Sequence, residues 1–397
     1  MVEKVRSAFC NKTELMIMLP EFYQNHLKSQ LNRSQYLTLT ILISLLQSLK
    51  TVNLESLANA FPLYITFEGR RRKIQRFLSL RILKIENIWF PILQAWLSTQ
   101  INFNQVIYIA IDRTAWGRIN LLMVSLIWER RAYPIYFELL PKLGASNLSE
   151  QKAVLTPVFS LLKDYKIVVL ADREFCSVKL GKWLREQQVN FCLRLKKDEF
   201  VEVESEIWLE LNQLGIIPGL SLFLQGVKVT KTHRIEGFNI AAKWKRKYRG
   251  LSPKEGWFIL TSLVSLDAAI QAYQKRFDIE EMFRDFKSGG YNLEETKVTQ
   301  ERLLTLILLI TLAYTSATMH GKTIKQIGVA KYVGRVKEKA RSERRHSNFY
   351  IGLYGQTWVN YHSQCVESAL ELMRMNPHKR LYYQRGQRAM SLILSAL

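Results

Sequence analysis

Cysteine is scarce in this chain, with four in 397 residues. Cys10, Cys176, Cys192 and Cys365 form no CxxC pair, and the six histidines show no metal-ligand spacing with them. This excludes a disulfide framework, argues against a zinc site and predicts buried thiols in a reducing compartment. Long hydrophobic runs are also missing. The start, MVEKVRSAFCNKTELM, has no apolar run fit for a signal peptide. The most apolar segment, LLTLILLITLAY (Leu303 to Tyr314), is shorter than the roughly 20 residues that span a bilayer. It reads as a buried core helix, and a cytoplasmic protein is expected. Acids are few, with 34 Asp+Glu against 57 Lys+Arg and a net charge of +23. Such a surplus predicts nucleic acid as the partner, with an anionic membrane surface second. Apolar residues make up 48% and charged residues 23%, as in a soluble chain with a large core. The length suggests two to four structural units.

In chain order, residues 1–98 read as helical. LTLTILISLLQSL (Leu37 to Leu49) precedes a short helix on NLESLANAF, capped by Asn53. A basic helix follows, GRRRKIQRFLSLRILK, with Arg70, Arg71, Arg72, Lys73, Arg76, Arg81 and Lys84 around an apolar stripe of Ile74, Phe77 and Leu78. The trio suits a helix-turn-helix-like DNA-binding unit, with Arg71 and Arg72 as backbone contacts. The alternative is a helical bundle with one charged face.

The period changes at Asn104. VIYIAID (Val106 to Asp112), INLLMVSLIW (Ile119 to Trp128) and YPIYFELL (Tyr133 to Leu140) alternate as strands with hairpin-length links. A helix over 148–162, the wholly apolar strand KIVVLAD (Lys166 to Asp172), a helix over 178–187 and the strand VNFCLRL (Val189 to Leu195) complete the block. Three strands, helix, strand, helix, strand predict a mixed α/β sheet with helices outside, as in ribonuclease H-like domains. The core is expected over 99–197 and again over 264–320, split by a β-rich insertion at 198–263. Asp198 to Glu210 holds six acids and no Lys or Arg, while Lys228 to Arg249 holds eight basic residues and one acid. The insertion is therefore expected to carry one basic surface. In its KWKRKYR cluster Trp244, Lys245, Arg246 and Tyr248 suit a nucleic-acid backbone with base stacking; a lysine-guarded strand edge is the alternative. From 321 to 397 a basic helical region is expected, with nine Lys/Arg between Lys322 and Arg345.

The most informative stretch is YQKRFDIEEMFRDFK, Tyr273 to Lys287. It holds no glycine or proline, which predicts one continuous helix. Tyr273, Arg276, Glu280 and Lys287 are spaced by three, four and seven, so they share a face. Alone, that face reads first as a solvated surface with an Arg276–Glu280 pair. Upstream, however, Asp112 and Asp172 each end a predicted strand, the usual place for a site in such a sheet. Three clustered carboxylates need a multivalent cation, and oxygen-only donors select Mg²⁺ or Mn²⁺. Two such ions are the usual apparatus for in-line phosphoryl displacement.

YQKRFDIEEMFRDFK matches the signature Y-x2-R-x3-E-x6-K of the YREK group of DDE transposases, the insertion sequence 4 family. IAIDRTAW around Asp112 and VLADREF around Asp172 resemble its first and second catalytic Asp motifs. The intervening INLLMVSLIWERRAYPIYFELL and FCLRLKKD are similar too, so the resemblance spans about residues 104–320. It implies that Asp112, Asp172 and Glu280 hold two catalytic ions, Mg²⁺ or Mn²⁺. It also implies that Tyr273, Arg276 and Lys287 contact DNA phosphates. Some members flip a base onto an insertion tryptophan; Trp244 is the candidate, and Trp257 reads as core. One position departs: Glu174 stands where the second motif usually has glycine. Its extra carboxylate, two residues from Asp172, would crowd the metal site or weaken DNA binding.

The implied function is cut-and-paste transposition of a bacterial insertion sequence. The protein would bind terminal inverted repeats and target DNA, cleave and join strands with Mg²⁺, and work as a homodimer in a synaptic complex near the nucleoid, without membrane contact. Two alternatives remain open at this point: a ribonuclease H-fold nuclease without strand transfer, and a domesticated DNA-binding protein without catalysis.

Overall fold

The structure is a computed structural model that describes residues 19–232, 234–246, 255–335 and 346–397. The described residues form two compact units, one within Leu93–Arg284 and one made of those up to Ile92 together with those within Asp285–Leu397. The fold is mixed α/β.

The Leu93–Arg284 unit is built on one ten-stranded sheet. Its strands are β1 (Val106–Trp116), β2 (Ile119–Trp128), β3 (Arg131–Leu139), β4 (Lys166–Ala171), β5 (Asn190–Arg194), β6 (Phe200–Glu204), β7 (Ile207–Glu210), β8 (Ser221–Val229), β9 (Ile235–Lys243) and β10 (Trp257–Thr261). The spatial order is β3-β2-β1-β4-β5-β10-β9-β8-β6-β7. β1, β2 and β3 are antiparallel neighbours, and the β2–β3 turn uses Glu129 and Arg130 at positive φ, the conformation a two-residue hairpin turn requires. β4 and β5 run parallel to β1 in succession. Ile167 to Ala171 of β4 are all buried, as expected of a strand covered on both faces.

The strands of 198–263 belong to this same sheet, because β10 pairs with β5 on one side and β9 on the other. Their basic side chains meet acids. Lys228 Nζ lies 2.9 Å from Glu202 and Arg234 lies 3.5 Å from Glu206, so the acid-rich piece neutralises part of the basic one.

Helices cover the sheet. Leu148–Leu161, started by an Asn147–Glu150 capping box, packs on β2 and β3. Leu266–Gln274, capped by Ser265, packs on β4, β5, β9 and β10. The continuous helix expected over Tyr273–Lys287 is broken: Leu266–Gln274 ends, and a second helix spans Phe277–Phe286. At the joint Lys275 and Arg276 bond back three residues, to Ala272 and Tyr273, and Asp278 and Ile279 do the same. This tightening turns the chain without glycine or proline. The second helix is fastened to the sheet by Met282 against Ser125, Sδ to Oγ 3.6 Å, while Lys275 Nζ sits 3.9 Å over the Tyr108 ring.

The other described unit is helical. Its N-terminal part contains Arg33–Leu49, Leu54–Ala60 capped by Asn53, and Phe67–Leu78 capped by Thr66. The basic helix stops at Leu78, so Arg81 and Lys84 lie beyond it. Gln300–Gln326 forms the centre and is long and apolar enough to cross a bilayer, but most of it is buried within the fold. Tyr23 and Gln47 bond to it at Thr315 Oγ1 (2.8 Å) and Ala313 O (3.1 Å). It crosses Asn348–Gln364 at Gly321 and Gly352, where an added Cβ would meet backbone oxygen at 1.8 Å on either helix. Of the basic run from Lys322 to Arg345, residues 336–345 lie outside the described residues.

Candidate active site

Five of the residues singled out by sequence come together on the sheet unit. Asp112 does not end its strand, as expected, but lies within β1, one residue past the last parallel pair, Ile111 with Ala171. There β1 continues against β2 alone, so the Asp112 side chain stands where β4 has ended. Asp172 follows β4 directly and caps a short helical turn, Arg173–Phe175. Each aspartate is oriented by its own chain: Asp112 Oδ1 accepts from the Arg113 amide and Asp172 Oδ1 from the Arg173 amide, both at 2.7 Å.

The broken helix supplies the other three groups. Tyr273, fully buried at the end of Leu266–Gln274, has its hydroxyl 3.3 Å from Asp172 Oδ1. Arg276, at the joint, is only 2% exposed and spans two carboxylates: Nη1 lies 3.4 Å from Asp112 Oδ2 and Nη2 lies 2.5 Å from Glu280 Oε1. Its guanidinium also lies 4.7 Å from the Phe277 ring centre, a cation–π contact. Glu280 is half exposed.

The electrostatics report the same proximity. Burial raises the Asp112 carboxyl to about 6; Arg276 opposes this, while Asp172 and Glu280 add to it. Burial pushes the Tyr273 hydroxyl up to about 12, so it remains a hydrogen-bond donor. Burial by itself would lower Arg276, but the fields of Tyr273, Asp172 and Glu280 outweigh it and hold the group above its ordinary value.

Lys287 belongs to the helical unit, with Nζ 2.6 Å from Glu294. Arg71 and Arg72 are in that unit too and are engaged by acids, Arg71 with Glu55 (2.7 Å) and Arg72 with Glu68 (2.9 Å). Trp244 is half-buried just after β9, and Lys245 and Arg246 are exposed beside it. Tyr248 lies outside the described residues. Trp257, read as core, is instead half-buried at the site, its ring centre 5.2 Å from Tyr273 and 5.9 Å from Phe277. It opens β10, whose pairing with β5 and β9 carries it there. No local sequence signal marks that long-range pairing.

Sequence reasoning also passed over Arg173, Arg194 and Glu255. Glu255 Oε1 is 2.7 Å from both arginines, and Arg194 Nη1 is 4.0 Å from Asp172. Arg173 and Glu255 edge a cleft of about 430 Å³ lined further by Glu174, Lys196, Lys197 and Asp198.

Glu174 does not crowd the carboxylates. Its Oε1 accepts from Arg113 Nε at 2.7 Å and from the Ser146 amide at 3.2 Å. Arg113 also donates to Asn120 Oδ1 (3.0 Å), whose amide group holds the carbonyls of Lys142 and Gly144. The extra carboxylate therefore braces the turn after Asp172 against β1 and the loop before the next helix.

By donor chemistry, Asp112, Asp172 and Glu280 fit a hard divalent cation. Among the described residues, however, no three carboxylate, histidine or cysteine side chains stand ready to enclose one, and Arg276 lies between Asp112 and Glu280.

Residues 142–316 match the family model described as Transposase DDE domain, whose members in general depend on divalent metal ions. The matched span includes Asp172, Tyr273, Arg276 and Glu280 and begins after Asp112. None of the curated proteins matches the chain. Among solved structures, one similar chain is the piggyBac transposase in a synaptic complex with hairpin DNA, determined by cryo-electron microscopy. The identity is 11% and the TM-score 0.42, over 92% of this chain and 81% of that one. The family match over residues 142–316 supports a transposase DDE domain there.

Proposed function

We propose that the chain is a DNA transposase of the insertion sequence 4 type, which cleaves element ends and joins them to target DNA. The observation that carries this reading is the meeting of Asp112, Asp172 and Glu280 around Arg276 and Tyr273, in a unit overlapping the matched transposase span. Asp112, Asp172 and Glu280 would hold the divalent ions. Such ions, when bound, activate an attacking oxygen and stabilise a leaving one. Tyr273 and the Arg113 and Arg173 amides fix the aspartates in position. The net charge of +23 supports a polyanionic substrate. The exposed Lys245 and Arg246 offer phosphate contacts, and the half-buried Trp257 offers an aromatic face beside the site.

The test uses the full chain, labelled duplexes carrying the element's terminal repeats, and Mg²⁺. Cleavage followed by joining is expected, with Asp112→Asn and Glu280→Gln each reducing cleavage by roughly a hundredfold or more while duplex binding persists. If Glu280→Gln cleaves as well as the parent, the carboxylate assignment is wrong. Cleavage without joining would leave a nuclease.

A further inference from the structure

The position of Arg276 carries a consequence beyond a phosphate contact. Its guanidinium is 2% exposed and divides its terminal nitrogens between Asp112 and Glu280. The third nitrogen, Nε, is buried and has no hydrogen-bond partner among the described residues. A guanidinium has five N–H donors, so this one is anchored by charge and by the Phe277 ring more than by complete hydrogen bonding. It sits at the joint between two helices, where short-range backbone bonds replace the regular ladder. It also faces the carboxylate oxygens that a divalent ion would need. A guanidinium on those oxygens repels a divalent ion and competes with it for the same carboxylates.

We propose that Arg276 is the resident counter-cation of the carboxylate cluster, and that a divalent ion loads as the guanidinium turns out to a DNA phosphate. This rests on the function proposed above. A phosphodiester offers the bidentate acceptor that the buried site does not, so DNA binding and ion loading assist one another. Without DNA the guanidinium offsets part of the carboxylate charge, and the site binds ions weakly. The half-exposed Glu280 is the ligand freed first, because its other face already meets solvent.

The experiment measures Mn²⁺ binding by the loss of the free-ion electron paramagnetic resonance signal, on the full chain without DNA and then with a terminal-repeat duplex. Parent protein is expected to bind weakly alone, and roughly tenfold or more tighter with the duplex. Arg276→Gln is expected to bind tightly alone, with little further gain from the duplex. Equal Mn²⁺ affinity of Arg276→Gln and parent, without DNA, overturns the proposal. Thermal melting checks that the variant folds. If it does not, Arg276→Lys serves, since one ammonium cannot span both carboxylates; its affinity should exceed the parent's, and equality overturns the proposal again. Asp112→Asn in the Arg276→Gln background separates the two readings. Loss of Mn²⁺ there keeps the carboxylate site whatever the fate of the counter-cation. Retention of Mn²⁺ puts the ion elsewhere and removes both.

Discussion

The Tyr273 hydroxyl lies 3.3 Å from Asp172 although 101 residues separate the two in the chain. By resemblance Tyr273 is a DNA contact, yet its ring is fully buried and its hydroxyl is directed to a carboxylate. Tyr273→Phe should therefore act on the chemistry and not on binding. A hydrogen bond to a charged group contributes about 1.5 kcal/mol at the lower end of its range, so single-turnover cleavage should slow about tenfold. Duplex affinity should stay within about twofold. A fall in affinity with unchanged cleavage would return Tyr273 to the DNA.

Glu174 and Arg113 give a second measurement. Their side chains are each about one-fifth exposed, and the Glu174 hydrogen bond holds Arg113 above its ordinary pKa. In a double-mutant cycle of Glu174→Ala and Arg113→Ala, a coupling of about 1 kcal/mol in unfolding free energy is expected. Glu174→Gln should leave Mn²⁺ affinity within about threefold of the parent. A tenfold change would mean that Glu174 reaches the ion after all.

The helix crossing at Gly321 and Gly352 sets a steric limit. A Cβ on either residue would lie 1.8 Å from a carbonyl oxygen, of Asn348 or of Ala317. Backbone cannot yield as a flexible side chain does, so the helices must separate. Gly352→Ala should cost about 3 kcal/mol or more, read as a lower thermal midpoint of the full chain. A midpoint within about 2 °C of the parent would show that the crossing has room.

What could be read from the residues follows the range of the interactions involved. The alternation of Ile107, Ile109 and Ile111, and the unbroken Ile167 to Ala171, are local patterns, and strands lie at both places. Asn53 before Leu54 is likewise a local cap. The break at Lys275–Arg276 left no local mark, because no glycine or proline produces it. Arg276, at that break, pairs with Glu280 four residues on, but also with Asp112, 164 residues away. The same limit concealed Trp257, which reaches Tyr273 only because β10 pairs with β5, and it concealed Glu55 on Arg71, whereas Glu68 and Arg72 pair locally at i,i+4. Glu174 looked disruptive while its partner Arg113, 61 residues away, was unknown.

His320 makes the helical unit sensitive to acid. It is 5% exposed in Gln300–Gln326, and burial lowers its pKa from 6.5 to about 4. The unfolded chain thus takes up a proton near pH 6.5 that the folded chain refuses until about pH 4. Between those values the unfolded state binds more protons, so stability falls as pH falls. The full effect is about 3 kcal/mol, present above pH 6.5 and gone below about pH 4. Urea unfolding of the parent should accordingly weaken from pH 7 to pH 4.5. His320→Leu, which cannot be protonated, should weaken less over the same interval. An identical pH dependence in the two proteins would show that His320 bears no part of the acid sensitivity, whatever the cost of the substitution at neutral pH.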